Sequence, residues 1–240
     1  MKYNAVMDLH THTLASGHAY CTIREMARMA GEKGLEVLGI TEHAPMMPGT
    51  CHQYYFDNLK NVPRQMYGIE LLMGSEVNIL NADGEIDLSG KTLAQMDVVI
   101  ASLHIPCMKP LTKEENTAAY LNVMKNPYVN IIGHPDDSRY EIDYKALVKG
   151  AKEHGKVLEL NNHSLKPTCS RVNARPRDIE MLTLCKQYNV PIIMDTDSHM
   201  DVLIGEFDLA RELLNELDFP EELVLNRSKE AMRGHLNREL

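Results

Sequence analysis

The sequence predicts an α/β protein built as a seven-stranded variant of the (β/α) barrel, and three observations carry that expectation. Short apolar runs alternate with helical patterns along the chain, the signature of repeated βα units. Nearly every apolar run ends in a histidine or an acidic residue, so chemistry-bearing side chains gather at strand ends. The Gly-x-Gly-x-x-Gly loop of a doubly wound open sheet is missing after the first strand, and no Walker-type lysine loop is present.

Taken in order, strands are expected near residues 5–9, 36–40, 69–75, 97–102, 129–132, 156–160 and 191–194. Helices are expected near 23–33, 57–67, 113–125, 144–154, 177–188 and 206–217, with a last one near 228–237. Thr22-x-x-Glu25 and Thr112-x-x-Glu115 read as capping boxes, in which hydroxyl and carboxylate each satisfy a free backbone N–H. Ile23, Met26, Ala27 and Ala30 then fall on one helical face, as do Leu209, Ala210, Leu213, Leu214 and Leu217 late in the chain. Asn81-Ala82-Asp83-Gly84 predicts a hairpin turn after the third strand, because Asp-Gly tolerates positive φ.

No Gly/Ser/Pro-rich linker, low-complexity tract or repeat divides the chain, so residues 1–240 are expected to form a single domain. A chain of 240 residues buries a large core without help from disulfides. No run approaches ~18 consecutive apolar residues, which argues against a membrane span. The N-terminus passes straight into a strand without the pattern of a signal peptide. Five cysteines, widely spaced and without Cys-x-x-Cys, fit a reducing cytoplasm and not a thiolate zinc site. The net charge of −9 argues against nucleic acid or an anionic membrane as partner. It leaves a small anionic substrate, and homo-oligomerisation, open.

The chemistry sits at the strand ends: Asp8-Leu9-His10-Thr11-His12, Ile40-Thr41-Glu42-His43, Gly74-Ser75-Glu76, Ser102-Leu103-His104, Gly133-His134 and Asp195-Thr196-Asp197-Ser198-His199. In an extended strand residues i and i+2 point the same way, so Asp8, His10 and His12 are expected to share a face, as are Asp195, Asp197 and His199. Strand C-termini converge on the functional face of a barrel. The donors gathered there exceed what one four-coordinate zinc can use and suit two or three ions that share a bridging carboxylate. Asp8 is expected to orient His10 from behind.

These residues resemble the ordered motifs of the PHP (polymerase and histidinol phosphatase) superfamily: Asp8-Leu9-His10-Thr11-His12-Thr13, Ile40-Thr41-Glu42-His43, Gly74-Ser75-Glu76, His104, Gly133-His134-Pro135 and Asp197-Ser198-His199. Ala15-Ser16-Gly17-His18-Ala19-Tyr20, Asp83-Gly84-Glu85-Ile86-Asp87 and Tyr140-Glu141-Ile142-Asp143 make the likeness closest to its YcdX-like phosphatase branch. The resemblance implies a distorted, TIM-like (β/α)7 barrel of the PHP fold with a trinuclear metal site. It implies His10, His12, Glu76 and Asp197 on one ion, Glu76 bridging to a second held by His104 and His134, and His18, His43 and His199 on a third. His18, in a loop, is implied by the resemblance alone. One departure is Glu42, where the family's motif usually has Asp before the histidine.

The expected cofactors are two to three divalent transition-metal ions, zinc first, with manganese or iron as alternatives. The expected activity is metal-dependent hydrolysis of a small phosphomonoester by a metal-bridging hydroxide, with Glu76 and Asp197 as the catalytic carboxylates. Arg171, Arg175 and His163, on the loop after the sixth strand, are the substrate-binding candidates, since guanidinium forks suit phosphate oxygens. The alternatives are a phosphodiesterase or 3′–5′ nuclease on the same cluster, and a non-catalytic metal-binding regulatory module. His154 and His235 are expected to be solvated, and specificity is expected in loops 46–56, 109–113 and 166–175.

Overall fold

The computed structural model describes residues 2–238 and 240. In chain order the strands are β1 Met7–Asp8, β2 Val37–His43, β3 Gln65–Met66, β4 Ile69–Asn78, β5 Val98–Ser102, β6 Ile131–Ile132, β7 Val157–Asn161 and β8 Ile192–Asp195. The helices are α1 Ile23–Glu32, α2 Gln53–Asp57, α3 Gly90–Leu93, α4 Lys113–Val123, α5 Tyr144–His154, α6 Ala174–Tyr188, α7 Asp208–Glu216 and α8 Lys229–Met232. Both capping boxes form as expected, at Thr22/Glu25 before α1 and Thr112/Glu115 before α4.

Seven strands run parallel in the order β1-β2-β4-β5-β6-β7-β8, with β3 added antiparallel to β4. The sheet curls into a nearly closed barrel, as the sequence predicts. Its remaining seam, between β8 and β1, is stitched at two levels. Above, His12 N–H donates to Ser198 O at 2.8 Å, within a Thr11–Ser198 bridge. Below, the buried Asn226 side chain takes the place of a missing strand. Its Nδ2 donates to Met194 O at 2.7 Å and to Met7 O at 3.2 Å, while Val6 N–H donates to Asn226 O at 2.9 Å.

Two apolar layers follow from the strand alternation. Leu38, Ile40, Leu71, Met73, Val99 and Ala101 face outward and pack under the helices. Met7, Val37, Leu72, Val98, Ile100, Ile131, Val157 and Ile193 fill the barrel interior, closed from beneath by Leu225 and Met232. The interior is therefore solid for half its height, and the polar side chains occupy the C-terminal half.

Three local expectations are corrected. The helix expected over 57–67 does not form: α2 ends at Asp57, a 3-10 turn covers Leu59–Asn61, and β3 follows. Pro63 has no N–H to offer a helix, and Tyr67 and Gly68 (φ 50° and 80°) turn the chain back into β4. The last helix is confined to Lys229–Met232: the backbone leaves helical conformation at Arg233 (ψ 135°), and Gly234 follows at φ 78°. Strand β1 is only two residues long, so the i/i+2 alternation does not extend beyond Asp8. The turn at Asp83-Gly84 is present, with Gly84 at φ 76° and Leu80 N–H donating to Glu85 O at 2.8 Å.

Candidate metal centre

Every strand of the parallel barrel delivers polar side chains to its C-terminal mouth. Strand β4 carries Glu76 inward at its upper end, between His43 of β2 and Ile100 of β5 in register. Gly74, two residues below, has to be glycine: a Cβ there would lie 1.9 Å from Val98 O. Glu76 is wholly buried and its two oxygens face different imidazoles. Oε1 lies 2.7 Å from His134 Nε2 and 3.1 Å from His104 Nε2. Oε2 lies 2.7 Å from His43 Nδ1, 3.3 Å from His10 Nε2 and 3.5 Å from His12 Nε2. Asp197 Oδ1 closes the group at 3.2 Å from His12 Nε2 and 3.6 Å from both His10 Nε2 and His199 Nδ1.

The chemistry of these donors asks for cations. His10 Nε2, His12 Nε2, His43 Nδ1, Glu76 Oε2 and Asp197 Oδ1 are buried and crowd one another, yet none meets a partner in hydrogen-bonding geometry among the described residues. Orphaned polar groups of this kind are costly. Four trios have donor atoms within 4.8 Å of one another: His12/His43/His199, His10/His12/Glu76, His10/His134/Asp197 and His43/Glu76/His104. Eight of the nine ligands expected from the sequence are thus in these groups. The ninth, His18, stacks beside them, its ring centroid 4.9 Å from those of both His43 and His199. The donor distances put His12, not His18, in a trio with His43 and His199.

Charge follows the same geometry. Burial opposes ionisation of Glu76, yet the His104, His10 and His43 imidazoles outweigh it and hold its carboxyl well below the usual range. Burial, with His43 and His199 beside it, pushes His12 well below the usual imidazole value. A neutral imidazole is the form that ligates. The backbone is also unusual here: His134 and Asp197 both have positive φ, 25° and 51°. Residues other than glycine hold such angles only where their surroundings over-determine them.

Behind the donors lies a set of orienting groups that sequence reasoning missed. Glu159 Oε1 accepts from His10 Nδ1 at 2.6 Å, and Oε2 accepts from His134 N–H at 2.6 Å and from Asn161 Nδ2 at 3.1 Å. The signal was available: an acidic residue alternating with Leu158 and Leu160 in a fully buried strand. Ser16 Oγ sits 3.1 Å from His12 Nδ1, accepts from His43 N–H at 3.0 Å and donates to Glu42 Oε2 at 2.6 Å. Glu42 also accepts from Thr13 N–H at 3.0 Å and from the Thr13 hydroxyl, so its longer arm fastens the loop that leads to His18. Asn78 Oδ1 is 2.8 Å from His104 Nδ1. Asp8 is a correction: its carboxylate accepts from Thr196 N–H at 3.1 Å, the Thr196 hydroxyl at 2.5 Å and Gly205 N–H at 3.0 Å, and so braces the segment bearing Asp197 instead of His10.

A cavity of about 310 Å³ opens over the cluster, lined by His18, His43, His104, Asp197 and His199 and, among others, by His163 and Arg171. Arg171 Nη2 donates to Asp197 Oδ2 at 2.7 Å and Nη1 to Ser164 Oγ at 3.0 Å. Arg175 is not brought to the cavity; it pairs with Glu216 on the exposed surface at the start of α6. His235 is not simply solvated: its Nδ1 is buried without a partner among the described residues.

Fold and site together define a class: a parallel (β/α) barrel with a histidine–carboxylate cluster at the C-terminal ends of its strands. The sequence model of the PHP domain matches residues 8–218, and the chain belongs to this family. It is 49% identical over 236 residues to a probable phosphatase of Clostridium novyi, with 98% of this chain and 95% of that one covered. A probable phosphatase of Caldanaerobacter subterraneus subsp. tengcongensis is 45% identical over 237 residues, covering 98% and 92%. Among solved structures, the histidinol phosphate phosphatase of Lactococcus lactis subsp. lactis, complexed with zinc, L-histidinol and phosphate, shares the fold. Its TM-score is 0.60 at 19% identity, covering 90% of this chain and 95% of that one. Among the described residues no helix is long and apolar enough to cross a membrane.

Proposed function

We propose that this chain is a metal-dependent phosphoesterase that hydrolyses a small phosphomonoester, with two to three divalent transition-metal ions, zinc foremost, on His10, His12, His18, His43, Glu76, His104, His134, Asp197 and His199. One observation carries the proposal: buried, unpaired nitrogen and carboxylate donors converge from every side on Glu76 and Asp197. Extensive similarity to relatives named probable phosphatases supports the reaction class.

Bound there, the ions would supply Lewis acidity toward phosphoryl oxygens and bring a water's pKa from 15.7 toward ~7. The chain's residues do the rest. Glu76 presents one oxygen to each side of the cluster and would hold cations on both sides. Asp197 is held in place by the Arg171 guanidinium, which also faces the cavity and offers positive charge to a phosphate. His163, on the cavity wall, is kept neutral by burial, with Arg171, His199 and Lys166 adding to the downward shift of its pKa against the pull of Asp197. It serves as a hydrogen-bonding contact to the substrate. A cavity of about 310 Å³ suits a small ester better than a nucleic-acid strand.

The test is hydrolysis of p-nitrophenyl phosphate against its bis-ester by the metal-loaded protein. Faster turnover of the monoester, lost in Glu76→Ala but kept in His154→Ala, is expected. Faster turnover of the bis-ester would favour a phosphodiesterase. No turnover of either by fully loaded protein would overturn the proposal.

A further inference from the structure

Beside the cavity over the metal cluster lies a second lobe of about 180 Å³, and the two share His104, Ser170 and Arg171 as walls. This lobe is room additional to the cavity that lies directly over the donor cluster. The wall of this lobe is made by Ile105 and Pro106, on the loop after β5, and ends at Arg139, on the loop after β6.

Arg139 is presented in a fixed attitude. Its Nε donates to Asp137 Oδ2 at 2.9 Å and its Nη2 to the same oxygen at 2.5 Å. Asp137 is itself anchored, accepting from Val172 N–H at 3.2 Å and from Arg139 N–H at 3.1 Å. The Asp137 side chain is 9% exposed and that of Arg139 36% exposed, and both line the lobe. Among the described residues Arg139 Nη1 has no hydrogen-bond partner, whereas both terminal nitrogens of Arg171 are engaged by Ser164 and Asp197. An arginine pre-organised by one carboxylate and left with a free donor edge is suited to capture a second anion.

We infer that this second lobe is a leaving-group subsite for phosphomonoesters whose alcohol carries a second anionic group, a carboxylate or a further phosphate, received by Arg139. The inference rests on the phosphoesterase reading of the metal centre. The carbon linker of such a substrate runs over Ile105 and Pro106, and the terminal anion accepts from Arg139 Nη1. Asp137 offsets part of the guanidinium charge, so the preference is set at about tenfold, the lower end for a charge-assisted hydrogen bond.

The experiment measures phosphate release by the metal-loaded protein from 3-phosphoglycerate and from glycerol 3-phosphate, which differ by a carboxylate in place of a hydroxymethyl group. The expected kcat/KM ratio is about ten in favour of 3-phosphoglycerate. Arg139→Lys keeps most of it, Arg139→Gln brings it close to one, and Arg139→Glu inverts it. Thermal unfolding of each variant checks that Asp137 still holds the loop. Because the wild-type ratio needs no variant, it tests the subsite even if a substitution unfolds the protein. A wild-type ratio near one, with good turnover of both esters, overturns the subsite and leaves the phosphoesterase reading standing. An unchanged ratio in a folded Arg139→Gln also overturns it. Absence of turnover on both esters and on p-nitrophenyl phosphate overturns both.

Discussion

Glu159→Gln removes one charge and no volume, and it isolates what holds His10 in its ligating form. Both oxygens of Glu159 are acceptors for protein donors: His10 Nδ1 at 2.6 Å on one side, His134 N–H at 2.6 Å and Asn161 Nδ2 at 3.1 Å on the other. A glutamine amide has one oxygen and one NH2, so whichever way it is turned, a donor faces a donor. The cheaper arrangement keeps the oxygen on the His134 N–H, which has no alternative partner, and turns the NH2 toward His10. His10 then moves its proton to Nε2, where it blocks the lone pair aimed at Glu76 and Asp197. Loss of such an orienting partner costs about 10–100-fold in metal affinity, or ~1.4–2.8 kcal/mol. Competition for zinc with a chromogenic chelator measures this directly, and thermal unfolding of the metal-free protein controls for folding. An unaltered zinc affinity in a folded Glu159→Gln would show that His10 does not depend on Glu159 for its tautomer.

Three further outcomes are expected. Asn226→Ala leaves Met194 O and Met7 O without their buried donor at the barrel seam, at ~1–3 kcal/mol each, which a urea midpoint shift detects; replacement by Asp, isosteric but lacking the NH2, should be no milder. Arg171→Ala should lower kcat/KM for a phosphomonoester by more than tenfold, while Arg175→Ala, whose guanidinium pairs with Glu216 at the surface, should stay within twofold. Burial holds the His235 pKa below 6.5, so the unfolded chain binds more protons just below that pH; stability should therefore fall as pH drops from about 6.5 toward the folded value, and His235→Gln should flatten that slope in urea titrations at stepped pH.

What could be read from the chain divides along physical lines. The barrel and the cluster were legible because they rest on periodicity and on donor chemistry at strand ends, which do not depend on distant contacts. Residues 57–67 misled because their helical pattern is overridden by Pro63 and by the Tyr67–Gly68 turn that lets β3 pair with β4. Asp8 misled because the alternation rule requires a continuing strand, and β1 stops there. The support of His10 by Glu159 joins residues 149 apart in sequence, and Asn226 closes a seam between strands at opposite ends of the chain, so neither contact has a local signature. Arg175 misled because it was expected on the loop after the sixth strand, with a helix only from 177; α6 instead starts at Ala174, and its first turn pairs Arg175 with Glu216.

On this reading the donors around Glu76 and Asp197 together hold several cations. Elemental analysis of protein purified without chelator tests it most directly. Two to three divalent transition-metal ions per chain are expected, falling to one or fewer in Glu76→Ala with the fold intact by circular dichroism. A wild-type content near zero that zinc, manganese or iron cannot raise would contradict the account.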